Sequence, residues 1–479
     1  MKKRINLKKL LSFLLAVMLI FSTLLSLSSC KNISFENEEE ETKKRHEHPK
    51  IPTPDYNGHV FTFLTDNSQP NRSFIVAESE TGEIMSEVIT KRNSALSQKY
   101  NITVAHQRAN DIIAEVENAV NSGVIDFDAI LATGSDLTSL AVKGMLYDLN
   151  NDDFSLDAQY TGYYFWDQNA NEQLAFGNKL YFSNCAFNIH SFGYVMFFNK
   201  YLIEEYNLTS PYEMIKNNTW TIDNWAEMVK TANQNIIDWQ NKYPSSSLLD
   251  TRSVVFDNNT PKVFAYSSEI RATTNDKSGT IQTTLLDNRT SLVAVYEKLC
   301  QLVEAEFCIP YDSDSIKHFE QDKIIFMIKD ASFTDLSNTM EHEYGIVPIP
   351  KFDSDQKDYM TLYPENGYLL ALPSLMPDPD RTVTIIEDMN YYSSFIINPT
   401  WFDVLLTRRY ARDDESEMTL RTLYENRIYD IGLYNDLGGI GSVVLNINDT
   451  ADCNVVEKYN SYKQKIQEEI DSLNNNFRN

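Results

Sequence analysis

Apolar and polar positions alternate from His59 through Val60, Phe61, Thr62 and Phe63 to Leu64, the period of a half-buried strand that ends in the polar Thr65-Asp66-Asn67-Ser68. Glu83 to Tyr100 sets Ile84, Val88 and Leu96 at helical spacing, and Ile102-Thr103-Val104 reads as the next strand. Asp111 to Ser122 puts Ile112, Ile113, Val116 and Val120 on one helical side. Asp126 to Leu131 is a third strand, and Leu137 to Lys143 a helix that follows the turn Gly134-Ser135-Asp136. Strands alternating with helices predict a mainly parallel sheet covered on both faces, with ligands at the carboxyl ends of its strands. Thr65-Asp66-Asn67 and Gly134-Ser135-Asp136 lie at such ends.

A second set of elements starts near Asn178. Lys179 to Phe182 and Tyr194 to Phe198 have strand character, and Lys200 to Glu205 is a short helix. A helix starts between Thr221 and Asp223 and runs through Trp225 to Thr231; Trp220 and Trp225, flanking its start, are read as core anchors. The span from Asn241 to Thr280 is polar with weak periodicity and reads mostly as loop. Leu292 to Glu304 is helical, Ile324 to Ile328 and Tyr344 to Pro348 are strands, and Thr382 to Ile396 and Tyr459 to Leu473 are helices.

Ahead of all this, Lys2, Lys3, Arg4, Lys8 and Lys9 precede an apolar run from Leu10 to Leu27, the layout of an export signal. The run ends in Leu27-Ser28-Ser29-Cys30, which resembles the lipobox of bacterial lipoproteins. That resemblance implies a diacylglycerol on the Cys30 thiol and a leader, residues 1–29, cut just before it. Two acyl chains suffice for stable anchoring. The expectation is a cell-membrane protein, lipid-anchored on the extracytoplasmic face, in a Gram-positive bacterium. Residues 30–54, with the acidic run Glu38 to Glu41, the basic Lys43, Lys44 and Arg45, and three prolines, read as a flexible tether. His46 and His48 belong to that solvated linker, and no metal is expected.

Beyond the leader, 37 basic residues face 68 acidic ones, a formal charge of −31. Nucleic acid would be repelled, and so would an anionic bilayer surface. About 425 residues after the tether suit two domains. Cys185, Cys300, Cys308 and Cys453 contain no pair at the spacing of a zinc or redox motif. Cys300 and Cys308, eight residues apart, would need a turn near Glu306 to bridge, and the reading is free buried thiols.

Several segments, in order, resemble the family 1 extracellular solute-binding proteins of ABC importers, whose relatives bind maltose and other oligosaccharides. They are Asp126 to Asp136 with Gly144-Met145-Leu146-Tyr147-Asp148-Leu149, then Gly177 to Tyr181. Phe198-Asn199-Lys200 follows, through Pro211 to Trp220-Thr221-Ile222-Asp223. Last come Phe319 to Lys329 and Tyr344 to Lys351. Asp322 departs from the small residue usual before Lys323. The resemblance implies an α/β fold, a two-lobed periplasmic-binding-protein-like (type II) clamshell with hinge strands. Residues 55–170 and 362–405 would form lobe 1, and 175–358 with 406–479 lobe 2. A solute would bind in the cleft and pass to ABC permease subunits; the resemblance implies no cofactor, and a monomer is expected.

Candidate binding residues sit where these expectations meet. Asp66, Asn67, Ser135 and Asp136 offer carboxylates and amides suited to sugar hydroxyls, although Ser135 and Asp136 also precede a helix and suit a cap. Trp166, beside Asp167 near the expected crossing, is read as a cleft aromatic for stacking on a pyranose rather than as core. Lys329 and Asp330 end a strand, and Tyr363, Glu365 and Asn366 precede the return strand. Asp413-Asp414-Glu415-Ser416, with Arg408, Arg409 and Arg412 nearby, reads as a solvated cap, and Gly438 to Ser442 as a flexible turn. No nucleophile elbow, His-Glu-x-x-His helix or Cys-x-x-Cys site is present. The leading reading is therefore a non-catalytic binder of a mono- or oligosaccharide. The alternatives are a surface glycan hydrolase and a glycan-binding adhesin.

Overall fold

A computed structural model describes residues 53–67, 74–77, 83–150, 166–177, 179–188, 192–244, 250–276, 278–305, 307–310, 312–331, 340–401, 413–447 and 453–478. The leader, Cys30, the tether up to residue 52 with its histidines, and Arg408, Arg409 and Arg412 lie outside the described residues.

The first sheet is built from β1 (His59–Asp66), β2 (Ile102–Ala109), β3 (Ala129–Thr133), a short β4 (Phe182–Ser183) and a late strand, Tyr368–Ala371, in the order β2-β1-β3-late strand-β4. The alternation seen in β1 is real: Phe61 and Phe63 are fully buried while Val60 is half-exposed. β1 pairs in parallel with β2 and β3. The late strand runs antiparallel to β3, with Tyr368 opposite Thr133. Helices α1 (Glu83–Tyr100), α2 (Ile112–Ser122) and α3 (Gly134–Val142) connect the early strands. Asp111 caps α2 by accepting from the Ala114 N–H at 3.0 Å, and Gly123, at φ 70°, ends it in the left-handed conformation that glycine adopts without strain.

After the short α4 (Gln168–Gln173) the chain reaches the second sheet, made of β5 (Tyr194–Asn199), β6 (Arg252–Phe256), β9 (Cys308–Pro310), β10 (Ile324–Asp330) and β11 (Tyr344–Val347), in the order β11-β5-β10-β6-β9. A small hairpin, β7 (Thr273–Asn275) with β8 (Ile281–Thr283), lies apart from it. Helices α5 (Lys200–Glu205), α6 (Pro211–Lys216), α7 (Ile222–Lys242), α8 (Thr260–Ser267), α9 (Arg289–Glu304) and α10 (Ser315–Glu320) link these strands. Two residue pairs, Thr361 with Arg427 and Leu362 with Ile428, form a separate two-stranded parallel ribbon, β12 (Thr361–Leu362) and β14 (Arg427–Ile428), on segments that pass from one sheet to the other. The late strand is thus β13. Helix α11 (Pro379–Tyr392) covers the first sheet's side of the chain, followed by α12 (Asp414–Glu425), α13 (Ile431–Tyr434) and the C-terminal α14 (Val455–Arg478). One contiguous set of buried apolar side chains runs through both sheets.

Several expectations change. Both sheets are mixed rather than mainly parallel, because the strands that follow a crossing enter antiparallel to their neighbours. The polar span 241–280 holds more regular structure than its weak periodicity predicts: β6 inside the second sheet, the fully buried α8, and β7. Phe182–Ser183 adds to the first sheet although it follows the expected lobe boundary at residue 175. Trp220 and Trp225 are fully buried, and the Trp220 indole N–H donates to the Pro348 carbonyl at 2.7 Å, as core anchors should. Asp413 does cap α12, accepting from Ser416 N–H at 2.7 Å, and it also pairs with Lys200 at 2.6 Å. Gly438 and Gly439 take φ of 64° and 85°, and a Cβ on Gly438 would stand 2.5 Å from the Ile466 nitrogen, so this turn is packed against α14 rather than flexible.

The cysteine reading is also corrected. Cys300, on the buried side of α9, is bonded to Cys453 just before α14, with Cα atoms 5.9 Å apart. Among the described residues, Cys185 and Cys308 are the free thiols. A bridge between residues 153 apart in sequence leaves no spacing signal. Such bonds persist in oxidising compartments. Cys453→Ser is expected to lower unfolding free energy by about 2–5 kcal/mol, measured by denaturant titration, with reductant lowering wild-type stability alike. Equal midpoints for variant and wild type would contradict the pairing.

Candidate ligand-binding seam

The parallel strands of the first sheet end together at Asp66, Ala109 and Thr133. Asn67 is tied to that edge: its N–H donates to the Ala109 carbonyl at 2.8 Å and its side-chain amide to Asn110 at 2.9 Å. Helix α3 begins at Gly134, one turn earlier than the pattern predicts, so Thr133 is the cap. Its hydroxyl accepts from the Asp136 N–H at 3.3 Å and donates to the Asp136 carboxylate at 2.7 Å. Ser135 and Asp136 therefore lie inside the first turn rather than ahead of it. Gly134 is required there, since a Cβ would come within 2.6 Å of the Tyr434 ring. The Asp136 carboxyl is pushed above its ordinary range by burial; the Thr133 hydroxyl opposes this, and Asp66 and Asp111 add to it. This edge is an acidic concentration that welcomes hydrogen-bond donors and repels anions.

Where the chain crosses between sheets, buried polar side chains converge. Asp167 caps α4 with one oxygen, accepting from Asn169 N–H at 2.9 Å and Ala170 N–H at 3.2 Å. Its other oxygen receives the Arg427 guanidinium at 2.6 Å and the Tyr429 hydroxyl at 2.7 Å. The Asn184 amide donates to Tyr429 Oη at 2.8 Å, and Asn188 donates to Asn184 Oδ1 at 2.9 Å and to the Tyr368 carbonyl. Tyr363 Oη donates to the same carbonyl at 2.6 Å. Burial lowers the proton affinity of Arg427, but Tyr429 and Asp167 outweigh it and hold the guanidinium above its usual range. Its Cζ lies 3.9 Å from the centroid of the Tyr424 ring.

Trp166 is corrected to the core. It is 2% exposed, and its indole N–H donates to Glu387 Oε1 at 3.0 Å, so it offers no stacking face. Asp167 is a hub for the crossings, and the fully buried Tyr363 packs at a tilt against Tyr429 with centroids 4.8 Å apart. Asp330 accepts from the Gly193 N–H at 3.3 Å at the end of β10, and Lys329 precedes it, partly exposed. Glu365 pairs with Lys262 of α8 at 2.7 Å, while Asn366 is exposed on the same turn. The structure thus brings Asp66 with Asp136, Asp167 with Tyr363, and Lys329 with Asp330, but it does not draw all of them around one point.

Residues that the sequence reading missed are Lys262, Arg427, Tyr429 and Asp430. Asp430 is fully buried and accepts from Tyr266 Oη at 2.6 Å, Thr273 N–H at 2.9 Å and Thr273 Oγ1 at 2.5 Å. Burial nevertheless raises its carboxyl. The only available signal was a run of Arg427, Tyr429 and Asp430 around Ile428, polar residues too close to an apolar one to read as loop. Among the described residues no cluster of three or more metal-ligating side chains occurs, and no helix is long and apolar enough to cross a membrane.

A sequence model for bacterial extracellular solute-binding proteins matches residues 91–390. No curated protein matches the chain. In fold it is similar to the galacto-N-biose/lacto-N-biose I-binding protein of an ABC transporter from Bifidobacterium longum, solved with lacto-N-biose. That likeness has a TM-score of 0.57 and 14% identity, covering 88% of this chain and 98% of that one. The sugar-binding protein MalE of Xanthomonas citri is similar at 0.53 and 14%, covering 88% and 97%. UgpB of Mycobacterium tuberculosis, solved with glycerophosphocholine, is similar at 0.53 and 14%, covering 87% and 99%. The shared fold is the two-lobed α/β clamshell.

The buried Glu387 gives a test of the Trp166 assignment. Burial pushes its carboxyl up to about 8, against a smaller opposing pull from the Trp166 N–H. From about pH 4.5 to 8 the unfolded chain gives up a proton that the folded chain keeps, so this group makes stability fall as pH rises through that window. The slope is at most about 1.4 kcal/mol per pH unit. Glu387→Gln is expected to flatten that part of the stability profile and to exceed wild type at pH 8, read from denaturant midpoints at pH 5 to 8. An identical slope in both proteins would place Glu387 in water and Trp166 elsewhere.

Proposed function

Because the chain belongs to the bacterial extracellular solute-binding proteins, we propose that it captures a carbohydrate between its two lobes and delivers it, unchanged, to an ABC importer. The observation that carries this reading is the family match over residues 91–390, which takes in Thr133 and Asp136 of the first-sheet edge and the crossing segments around Asp167, Asn184 and Tyr363. Carbohydrate is supported by the chemistry of that edge. Asp66, Asn67 and Asp136 supply acceptors for sugar hydroxyls, and a chain of formal charge −26 disfavours an anionic solute. Similar folds solved with lacto-N-biose, and named as a sugar-binding protein, point the same way.

The lobes are proposed to follow the sheets. Residues 55–170 and 362–405 frame lobe 1, joined by β4, and 175–358 with 406–479 frame lobe 2. The paired β12 and β14 serve as hinge strands. Hinge closure would bury the solute. The lipobox-like Leu27-Ser28-Ser29-Cys30 supports a lipid anchor on the extracytoplasmic face of a Gram-positive cell, and the Cys300–Cys453 bond suits that oxidising side. Tethering beside the permease raises local concentration, so modest affinity serves and a monomer is enough.

Calorimetry of the purified protein with a panel of mono- and oligosaccharides, and with glycerophosphocholine, tests the reading. Saturable binding of at least one sugar is expected at roughly micromolar affinity, about −8 kcal/mol, with the sugar recovered intact. Asp136→Asn should weaken it at least tenfold. Sugar hydrolysis, or binding of glycerophosphocholine alone, would contradict it.

A further inference from the structure

Helix α7 carries its buried residues at helical spacing: Ile222, Trp225, Ala226, Met228, Val229, Ala232 and Ile236. The stripe continues one turn further, to Trp239 and then Tyr243, but there it outruns the core. Trp239 is only partly buried and Tyr243 is 45% exposed. These last aromatics instead form the wall and rim of an outward-facing groove of about 950 Å³, with the buried Tyr206 on the facing element.

The groove is built to hold its rings in place. Trp239 meets Tyr206 edge-on with centroids 6.4 Å apart, and Tyr243 at 5.0 Å. The Trp239 indole N–H donates to Glu205 Oε1 at 3.0 Å, which fixes the ring plane. The Asn235 amide donates to the Tyr206 carbonyl at 2.8 Å and ties α7 to the end of α5. Around the rings stand two carboxylates, Glu205 and Asp238, and the amides of Asn207 and Asn235. Flat apolar faces ringed by carboxylates and amides match a pyranose, whose C–H face stacks and whose hydroxyls donate. An anion would meet Glu205 and Asp238. A cation would meet Lys242, whose ammonium already stands 5.0 Å from the centroid of Tyr243. A neutral polyhydroxyl chain meets neither penalty.

From this juxtaposition of Trp239, Tyr243, Glu205 and Asp238 we infer that the far end of α7 is a second, surface site for a neutral glycan chain, separate from the interlobe seam. Among the described residues the groove is open, so it accommodates an internal stretch of a polymer, not only a free end. Such a site would hold the protein on a polysaccharide while smaller sugars enter the seam.

Affinity electrophoresis of the purified protein through native gels cast with arabinoxylan, glucomannan or amylopectin tests this. Retardation is expected in at least one gel, weakened at least tenfold by Tyr243→Ala and by Trp239→Ala, and kept by Tyr243→Phe, which retains the ring. Tyr243 is exposed enough for its alanine variant to fold. Asp136→Asn, which disables the seam alone, should be retarded like wild type. No retardation in any gel, or Tyr243→Ala migrating as wild type, would overturn the inference. Loss in Asp136→Asn with none in Tyr243→Ala would overturn it as well, by returning the binding to the seam.

Discussion

The ion pair between Asp167 and Arg427 is the contact on which the arrangement of the two sheets depends. Both side chains are nearly inaccessible, at 9% and 3% exposure, and they sit 2.6 Å apart. Removing two charges from water costs several kcal/mol each, and a lone pair of ions returns that only with further hydrogen bonds. Here the further bonds fall on the carboxylate: Asp167 also caps α4 and takes the Tyr429 hydroxyl, while Arg427 packs over the Tyr424 ring with its Nε and Nη1 left without a hydrogen-bond partner among the described residues. Because Asp167 precedes the second sheet and Arg427 follows it, the pair joins the outgoing and returning chain. Asn184, Asn188 and Tyr363 extend the same network to the remaining crossing.

A polar hub at the crossings also explains how two mixed sheets share one apolar core without fusing. Apolar packing has no direction and would accept many relative placements of the sheets. Hydrogen bonds that link Tyr429, Asn184, Asn188 and the Tyr368 carbonyl accept few. β12 and β14 pair over only two residues each, too short to fix the geometry by themselves. Side-chain bonds beside them supply what the ribbon lacks. At either side of the hub the chemistry differs. The first sheet ends in crowded carboxylates around Asp136, whereas Lys262 brings a cation from the second sheet's side to Glu365.

Local features were legible in the sequence because their causes are local. Helix α1 runs from Glu83 to Tyr100 as expected, although Met85 and Ile89 rather than the exposed Ile84 join Leu96 on its buried side; α5 spans Lys200 to Glu205, and Asp111 and Asp413 cap where short polar residues precede apolar periodicity. What escaped is non-local. β6 reads as loop because Arg252 and Ser253 open it and its partners, Ile324 and Cys308, lie far along the chain. Cys453 finds Cys300 across 153 residues. Trp166 looked like a cleft aromatic because composition cannot distinguish a ring that faces solvent from one whose N–H meets a buried Glu387. The candidate site was half legible. Positions at or just past strand ends, such as Asp66 and Asp136, follow from topology, but Arg427 and Lys262 gain their roles only once distant segments meet.

The measurement closest to the central claim is a double-mutant cycle on the hub, with Asp167→Asn, Arg427→Met and the pair, each followed by denaturant unfolding. Breaking a buried pair from one side strands the other charge, so each single variant should lose about 3–5 kcal/mol. The double variant strands nothing and should lose clearly less than the two losses combined. Additive losses, or single variants within about 0.5 kcal/mol of wild type, would contradict the assignment of this pair as the junction of the two lobes.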